Sequence, residues 1–250
     1  MQDILTCAMG LDIHRDVIVA CLAKGELGTD PEIEIRSFST LIPEMRKLRD
    51  WVLEAECRYV AMESTGIYWQ PIYEMLEPCF DGRISILVVN ARHMKNVPGR
   101  KTDMRDAQWI ATLLRAGLLK GSFIPDKTFR ELRHLTRYRK SIVRDITAQK
   151  NRIDKFLQSS GFRFTAFLSD AFGASGRNII RHLMEYGNIS REALDRCLKT
   201  QTRKRIDEIL IALNGSLSEH QRGFLRMIFG HLEALEQHRH TVEDAITKEI

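Results

Sequence analysis

The stretch Ile4 to Ile13 limits the architecture more than any other part of the chain. It is an apolar run of strand length, and alternation sorts its side chains into two sets. Cys7, Met9, Leu11 and Ile13 fall on one face, Thr6, Ala8, Gly10 and Asp12 on the other. The first set is ordinary core material. The second is small throughout and ends on a carboxylate, so another element can come close to this backbone with Asp12 at the rim of the contact.

From Ile13 onward the chain alternates turns, strands and helices in a readable order. His14-Arg15-Asp16 turns the chain, Val17 to Ala23 returns as a second strand, and Ile33 to Phe38 forms a third after the Gly25 to Pro31 turn. Pro43 opens a helix through Met45, Leu48, Trp51, Val52 and Ala55. Arg58 to Glu63 is a fourth strand, again ending on a carboxylate. Ser64-Thr65-Gly66 turns into a short helix, Ile67 to Leu76, which tolerates Pro71 only in its first turn. The β-branched run Ile84 to Val89 reads as a fully buried fifth strand. A basic loop then leads to Pro98-Gly99, and a helix is expected from Thr102 or Asp103 to Gly117, carrying Trp109, Ile110, Leu113 and Leu114.

Asp103 and Asp106 share one face at the head of that helix, with Cβ atoms roughly 5–6 Å apart, beside Arg100, Lys101 and Arg105. Acidic groups suit the positive end of a helix dipole, which accounts for one aspartate. Two so close repel each other unless a cation lies between them, and carboxylate oxygens favour a hard divalent ion. Each acid alone has a simpler reading: a solvated first turn for Asp103 and Asp106, a turn residue for Asp12, a strand-end surface charge for Glu63. The order of elements joins them. The series β-β-β-α-β-α-β-α matches a ribonuclease H-like mixed sheet, in which the first and fourth strand ends are neighbours and the last helix crosses the small-residue face. Asp12, Glu63, Asp103 and Asp106 are therefore expected to converge, as catalytic and metal-binding residues for two Mg²⁺ or Mn²⁺ ions about 3.5–4 Å apart at a phosphodiester.

Charge separates the second half from the first. The 250 residues carry a net charge of +5, a mild bias by itself. Between Lys127 and Arg163, however, eleven Lys and Arg face three acids, giving +8 there and about −3 elsewhere. Such localisation is how a nucleic-acid footprint looks, and Arg133, Arg137, Lys140, Arg144, Lys150 and Arg152, with Arg100, Lys101 and Arg105 before them, are the expected contacts. The alternative is a solvated coiled-coil face. Leu132, Leu135, Ile142, Ile146, Ile153 and Phe156 mark a long helix from about Lys127 to Gln158, with Arg139 and Gln149 filling gaps in the apolar pattern. Short helices come next at Arg177 to Tyr186, Arg191 to Leu198 (capped by Ser190) and Arg203 to Leu213. A last helix from the cap Ser218 carries Leu225, Ile228, Leu232, Leu235, Val242 and Ile246, with Arg239 at a skipped core position. About three heptads fit a partly coiled-coil region. An antiparallel pairing of the two long helices and dimerisation through either fit equally well.

Five scattered cysteines without a C-x-x-C, and eight histidines without ligand spacing, point to a reducing compartment and away from zinc. No run approaches the roughly 18 apolar residues of a membrane span, and the first residues lack the pattern of a secretion signal. A soluble cytoplasmic protein is the expectation.

The motifs Gly10-Leu11-Asp12-Ile13-His14, Met62-Glu63-Ser64-Thr65-Gly66 with Tyr68-Trp69, Asn90-Ala91, and Lys101-Thr102-Asp103 with Asp106-Ala107 resemble those of the insertion sequence one-ten family of transposases. These are RuvC-like DEDD recombinases guided by a bridge RNA. The resemblance implies that Asp12, Glu63, Asp103 and Asp106 are the DEDD set. It implies a RuvC-like catalytic domain over residues 1–120, a basic long helix over 127–160 and a helical region over 161–250. It also implies DNA partners (insertion-sequence ends and target), a guide RNA and a homo-oligomer. The family's serine transposase domain should begin near where this chain stops, and the last helix reads as cut in mid-course. An N-terminal part without the serine domain is expected, and no serine here is assigned as nucleophile. A catalytically incomplete RNA- or DNA-binding fragment and a stand-alone RuvC-like nuclease or resolvase are the alternatives.

Overall fold

The computed structural model describes residues 3–64, 66–79, 84–90 and 106–249. The chain divides into two compact units, Met1–Ile124 and Pro125–Ile250.

The first unit is built on a mixed sheet of five strands: β1 (Cys7–Ile13), β2 (Val17–Lys24), β3 (Glu32–Ser39), β4 (Tyr59–Glu63) and β5 (Ser85–Val89). Their order across the sheet is β3-β2-β1-β4-β5. The first three pair antiparallel, while β1 with β4 and β4 with β5 run parallel. This is the ribonuclease H-like arrangement. It arises from connection length: short turns join the first three strands, and helices carry the chain back for the parallel ones. α1 (Ile42–Glu54) has a proline in its first turn, and α2 (Trp69–Leu76) comes after β4. Met9, Leu11 and Ile13 meet Leu48, Trp51, Val52 and Ile72 in the larger core layer. The fifth strand departs from expectation. Only Val88 and Val89 are buried, because β5 lies at the end of the sheet and pairs, among the described residues, with β4 alone.

The opposite face of the sheet receives α3 (Asp106–Arg115). Ala8, Ala61 and Val89 pack against Ile110 and Leu114, while Cys21 and Ala23 pack against Ala107 and Ala111. A Cβ on Gly10 would stand 2.2 Å from the Ala107 carbonyl oxygen and 2.4 Å from the Ala111 nitrogen, so the helix backbone rests on the strand backbone. The close approach expected of the small-residue face is what the chain adopts. Arg115 fixes the far end of the helix. Its side chain is buried, with Nε donating to the Leu5 carbonyl at 3.0 Å and Nη2 to the Glu26 carbonyl at 2.7 Å. Nη1 lies 3.3 Å from Asp3. A cation in the last turn also complements the helix dipole. Gly117, at φ +67°, stops the helix in the left-handed conformation glycine adopts freely.

The second unit is helical. α4 (Lys127–Ser159) is capped by Asp126, whose carboxylate accepts from Phe129 N at 3.0 Å. α5 (Ala174–Tyr186), α6 (Arg191–Cys197), α7 (Thr200–Arg203) and α8 (Ile206–Ala212) lead to α9 (Glu219–Glu249). Ser218 and Gln221 form a reciprocal cap at its start. α4 and α9 lie antiparallel within the one chain: Gln149 donates to the Ile228 carbonyl at 2.6 Å, Tyr138 meets His238 at 2.8 Å, and Arg139 pairs with Glu243 at 2.6 Å. Ile142, Ile146, Ile153, Leu225, Phe229 and Leu232 form the seam of the core. The helix expected over Arg203 to Leu213 is α8, starting at Ile206; the four-residue α7 precedes it, with Lys204 and Arg205 between them.

Candidate active site and nucleic-acid face

The register of β1 against β4 pairs Leu11 with Met62, so Asp12 and Glu63 stand side by side at the C-terminal ends of adjoining parallel strands. Alternation points Asp12 to the face of Ala8 and Gly10, and Glu63 to the face of Ala61, the side on which α3 packs. The helix runs antiparallel to β1. The carbonyl of Arg115, at its C-terminal end, accepts from Ile4 and Leu5, whereas Ala107, near its start, lies over Gly10. Asp106, the residue before Ala107, is thereby carried to the same end as Asp12 and Glu63. It is solvent-exposed, while the other two are half-buried.

The structure thus brings three of the four expected carboxylates to one end of one face. Asp103 lies outside the described residues, as do Ala91, Arg100, Lys101, Thr102 and Arg105. Among the described residues no group of three or more His, Cys, Asp or Glu side chains has the spacing to hold a metal ion. Carboxylates at a strand end remain a donor set of the chemistry that Mg²⁺ and Mn²⁺ prefer.

His14 belongs to the first motif, yet sequence reasoning gives it no role. Its Nε2 lies 3.1 Å from Asp12 Oδ2, and the Asp12 side chain is 15% exposed. A signal for this contact exists: a histidine two residues past an acid at a strand end can turn back on it. The adjacent aromatics of the second motif, Tyr68 and Trp69, part company. Trp69 packs edge-on against Tyr73 with centroids 5.8 Å apart, whereas Tyr68 is exposed.

The basic helix α4 sorts its cations by direction. At about 100° per residue, Arg133, Arg137, Lys140 and Arg144 fall within an arc of about 60°, opposite the buried Ile142, Ile146 and Ile153. All four are exposed, and none has a carboxylate partner among the described residues. Lys155 continues the stripe and is exposed as well. Lys150 points aside, 4.0 Å from Glu236 and over the Phe172 ring. Arg152 donates to Gln149.

The family model described as transposase, of the IS110 DEDD type, matches residues 9–161. Two solved structures are similar over 46% of this chain and 99% of their own. RuvC of Thermus thermophilus in complex with a Holliday junction substrate is 13% identical, with a TM-score of 0.33. Another Thermus thermophilus RuvC structure is 12% identical, with a TM-score of 0.32. No curated protein sequence matches the chain.

Proposed function

Because the chain belongs to the IS110 family of transposases, we propose that it is a DNA transposase whose phosphodiester chemistry is carried by Asp12, Glu63, Asp103 and Asp106. The observation that carries the reading is the parallel register setting Asp12 beside Glu63, at the end of the sheet where α3 begins. These oxygens would hold Mg²⁺ or Mn²⁺. Such ions, when bound, activate an attacking oxygen and stabilise a departing one. The chain's own parts do the rest. His14 orients the Asp12 carboxylate, the Gly10 contact holds the head of α3 against the strand ends, and the exposed stripe Arg133, Arg137, Lys140 and Arg144 binds backbone phosphates. DNA is the substrate partner in this reading, with a guide RNA and a homo-oligomer as further partners.

Calorimetry with Mn²⁺ tests the site. Asp106→Asn and Glu63→Gln should each weaken binding at least tenfold, on the order of 1.4 kcal/mol. Equal affinity in the parent and both variants would defeat the assignment. The unpaired cations of α4 also support a second reading, a nucleic-acid-binding chain with no chemistry of its own. Under that reading both variants keep full affinity for DNA and RNA, and neither the parent nor the variants cut a strand in the presence of Mg²⁺.

A further inference from the structure

Cys7 and Cys57 meet at the end of the sheet opposite the acidic one. Cys7 opens β1, and Cys57 stands two residues ahead of β4. Continuing the Met9–Val60 register backwards sets Cys7 beside Arg58, one residue from Cys57. Neighbouring strands and a one-residue offset separate the two Cα atoms by about 6 Å, inside the usual disulfide range of roughly 4.4–6.8 Å. Both side chains pack into the same core layer, Cys57 fully buried and Cys7 partly. Cys57 Sγ donates its proton to the Tyr59 carbonyl at 3.2 Å, and each thiol is the strongest influence on the other's titration. Cys21 lies on the other face of the sheet, among Ala23, Ala107 and Ala111.

The surroundings make the pair unequal. The neighbouring Cys57 thiol lowers the Cys7 thiol to about 7 against the opposing effect of burial, and Lys24 helps. Lys24 sits directly across from Cys7 in the β1–β2 pairing. Cys57 is pushed upward by the neighbouring Cys7 and by burial, and stays protonated. Cys7 is itself partly exposed, and a pocket of about 490 Å³ beside it is lined by Cys57 with Leu53, Glu56, Arg58 and Ile84. It gives a small polar oxidant a way in.

We propose that Cys7 and Cys57 form a peroxide-oxidisable dithiol, a modification site that closes a disulfide between the strands bearing Asp12 and Glu63. The Cys7 thiolate attacks one oxygen of hydrogen peroxide. An S–O bond forms, the O–O bond breaks, and the departing hydroxide takes up the proton the thiol released, leaving as water. Cys57 sulfur then attacks the sulfur of the Cys7 sulfenic acid. The S–S bond forms, the S–O bond breaks, and the oxygen leaves as a second water with the Cys57 proton. Two thiols lose two electrons and two protons, and one peroxide becomes two waters. Disulfides in reducing compartments are characteristically transient and redox-sensing. This one ties the two strands together on the face away from α3.

The test treats the full chain with about one equivalent of hydrogen peroxide, blocks remaining thiols by alkylation, and maps a non-reducing digest by mass spectrometry. The expected product is a Cys7–Cys57 cross-linked peptide, an intact mass lower by about 2 Da, and full alkylation of Cys21, Cys79 and Cys197. Dithiothreitol should reverse it, and the oxidised chain should melt at least about 4 °C higher. In Cys57→Ser, Cys7 should accumulate as a sulfenic acid trapped by dimedone. Recovery of both Cys7 and Cys57 as alkylated thiols, or a bond from Cys7 to any other cysteine, overturns the proposal. The map of the parent chain decides the matter even if the variant fails to fold.

Discussion

Two side chains, Arg115 and Gly10, hold α3 in its place, one by reaching and the other by being absent. Arg115 is a buried cation whose charge is met by the carbonyls of Leu5 and Glu26 and by Asp3. Arg115→Met leaves those oxygens without a donor and should destabilise the chain by about 3–5 kcal/mol, read as a fall in the urea midpoint. Gly10→Ala forces a methyl against the Ala107 carbonyl and should cost about 2–3 kcal/mol in the same measurement. A midpoint unchanged by Gly10→Ala would mean that the helix rides clear of the strand. This contact was legible in the sequence, since four small residues alternating in one strand have few other uses. The split fate of Tyr68 and Trp69 was not. Two adjacent aromatics at a helix start carry no periodicity to say which one turns inward.

Among the elements, α4 offers the sharpest contrast between two uses of one residue type. Its apolar period marked both the helix and its buried face, and by subtraction the cations on the other side. The period could not tell that Lys150 and Arg139 bend towards Glu236 and Glu243 on α9, because those partners lie far along the chain. Replacing Arg133, Arg137, Lys140 and Arg144 together by Ala should flatten the salt dependence of duplex binding by about three and a half units in the log–log slope, at roughly 0.9 per phosphate lost. Lys150→Ala should leave that slope nearly unchanged. Filter binding across a salt series separates the two outcomes. The break between α7 and α8 was likewise invisible beforehand. Arg205 leaves the helical line with its guanidinium 5.2 Å over the Phe167 ring and an ion pair to Glu208, a tertiary arrangement no local pattern announces. The last strand shows the same limit from the other side: Ile84 to Val89 is β-branched enough for a central position, yet sheet order leaves it at the edge.

For the molecule as a whole, the two units have separate cores. Met9, Leu48, Val60 and Ile72 belong to one, Ile153, Leu183, Leu225 and Phe229 to the other. Phe229→Ala, a cavity of roughly 3–5 kcal/mol, should lower hydrogen-exchange protection throughout 125–250 while amides of β1 and β4 keep theirs. Loss of protection in both regions together would show that they unfold as one. The described residues contain no helix long and apolar enough to cross a membrane. The order of elements, the strand-end acids and the helix bearing Asp106 could all be read in advance from alternation and from where charge interrupts it. The grouping of all four carboxylates, expected from the order of elements, turns on Asp103, which lies outside the described residues.

In the proposed reading, the seat of α3 on Gly10 makes a packing position answerable for chemistry. A helix that rests on bare backbone has no cushion, so a displacement of the thickness of one methyl at that fulcrum is passed undiminished to the acid at its tip. Under the proposed function, substitutions at Gly10 would mimic active-site lesions in a genetic screen by moving the helix rather than by any direct role of the glycine.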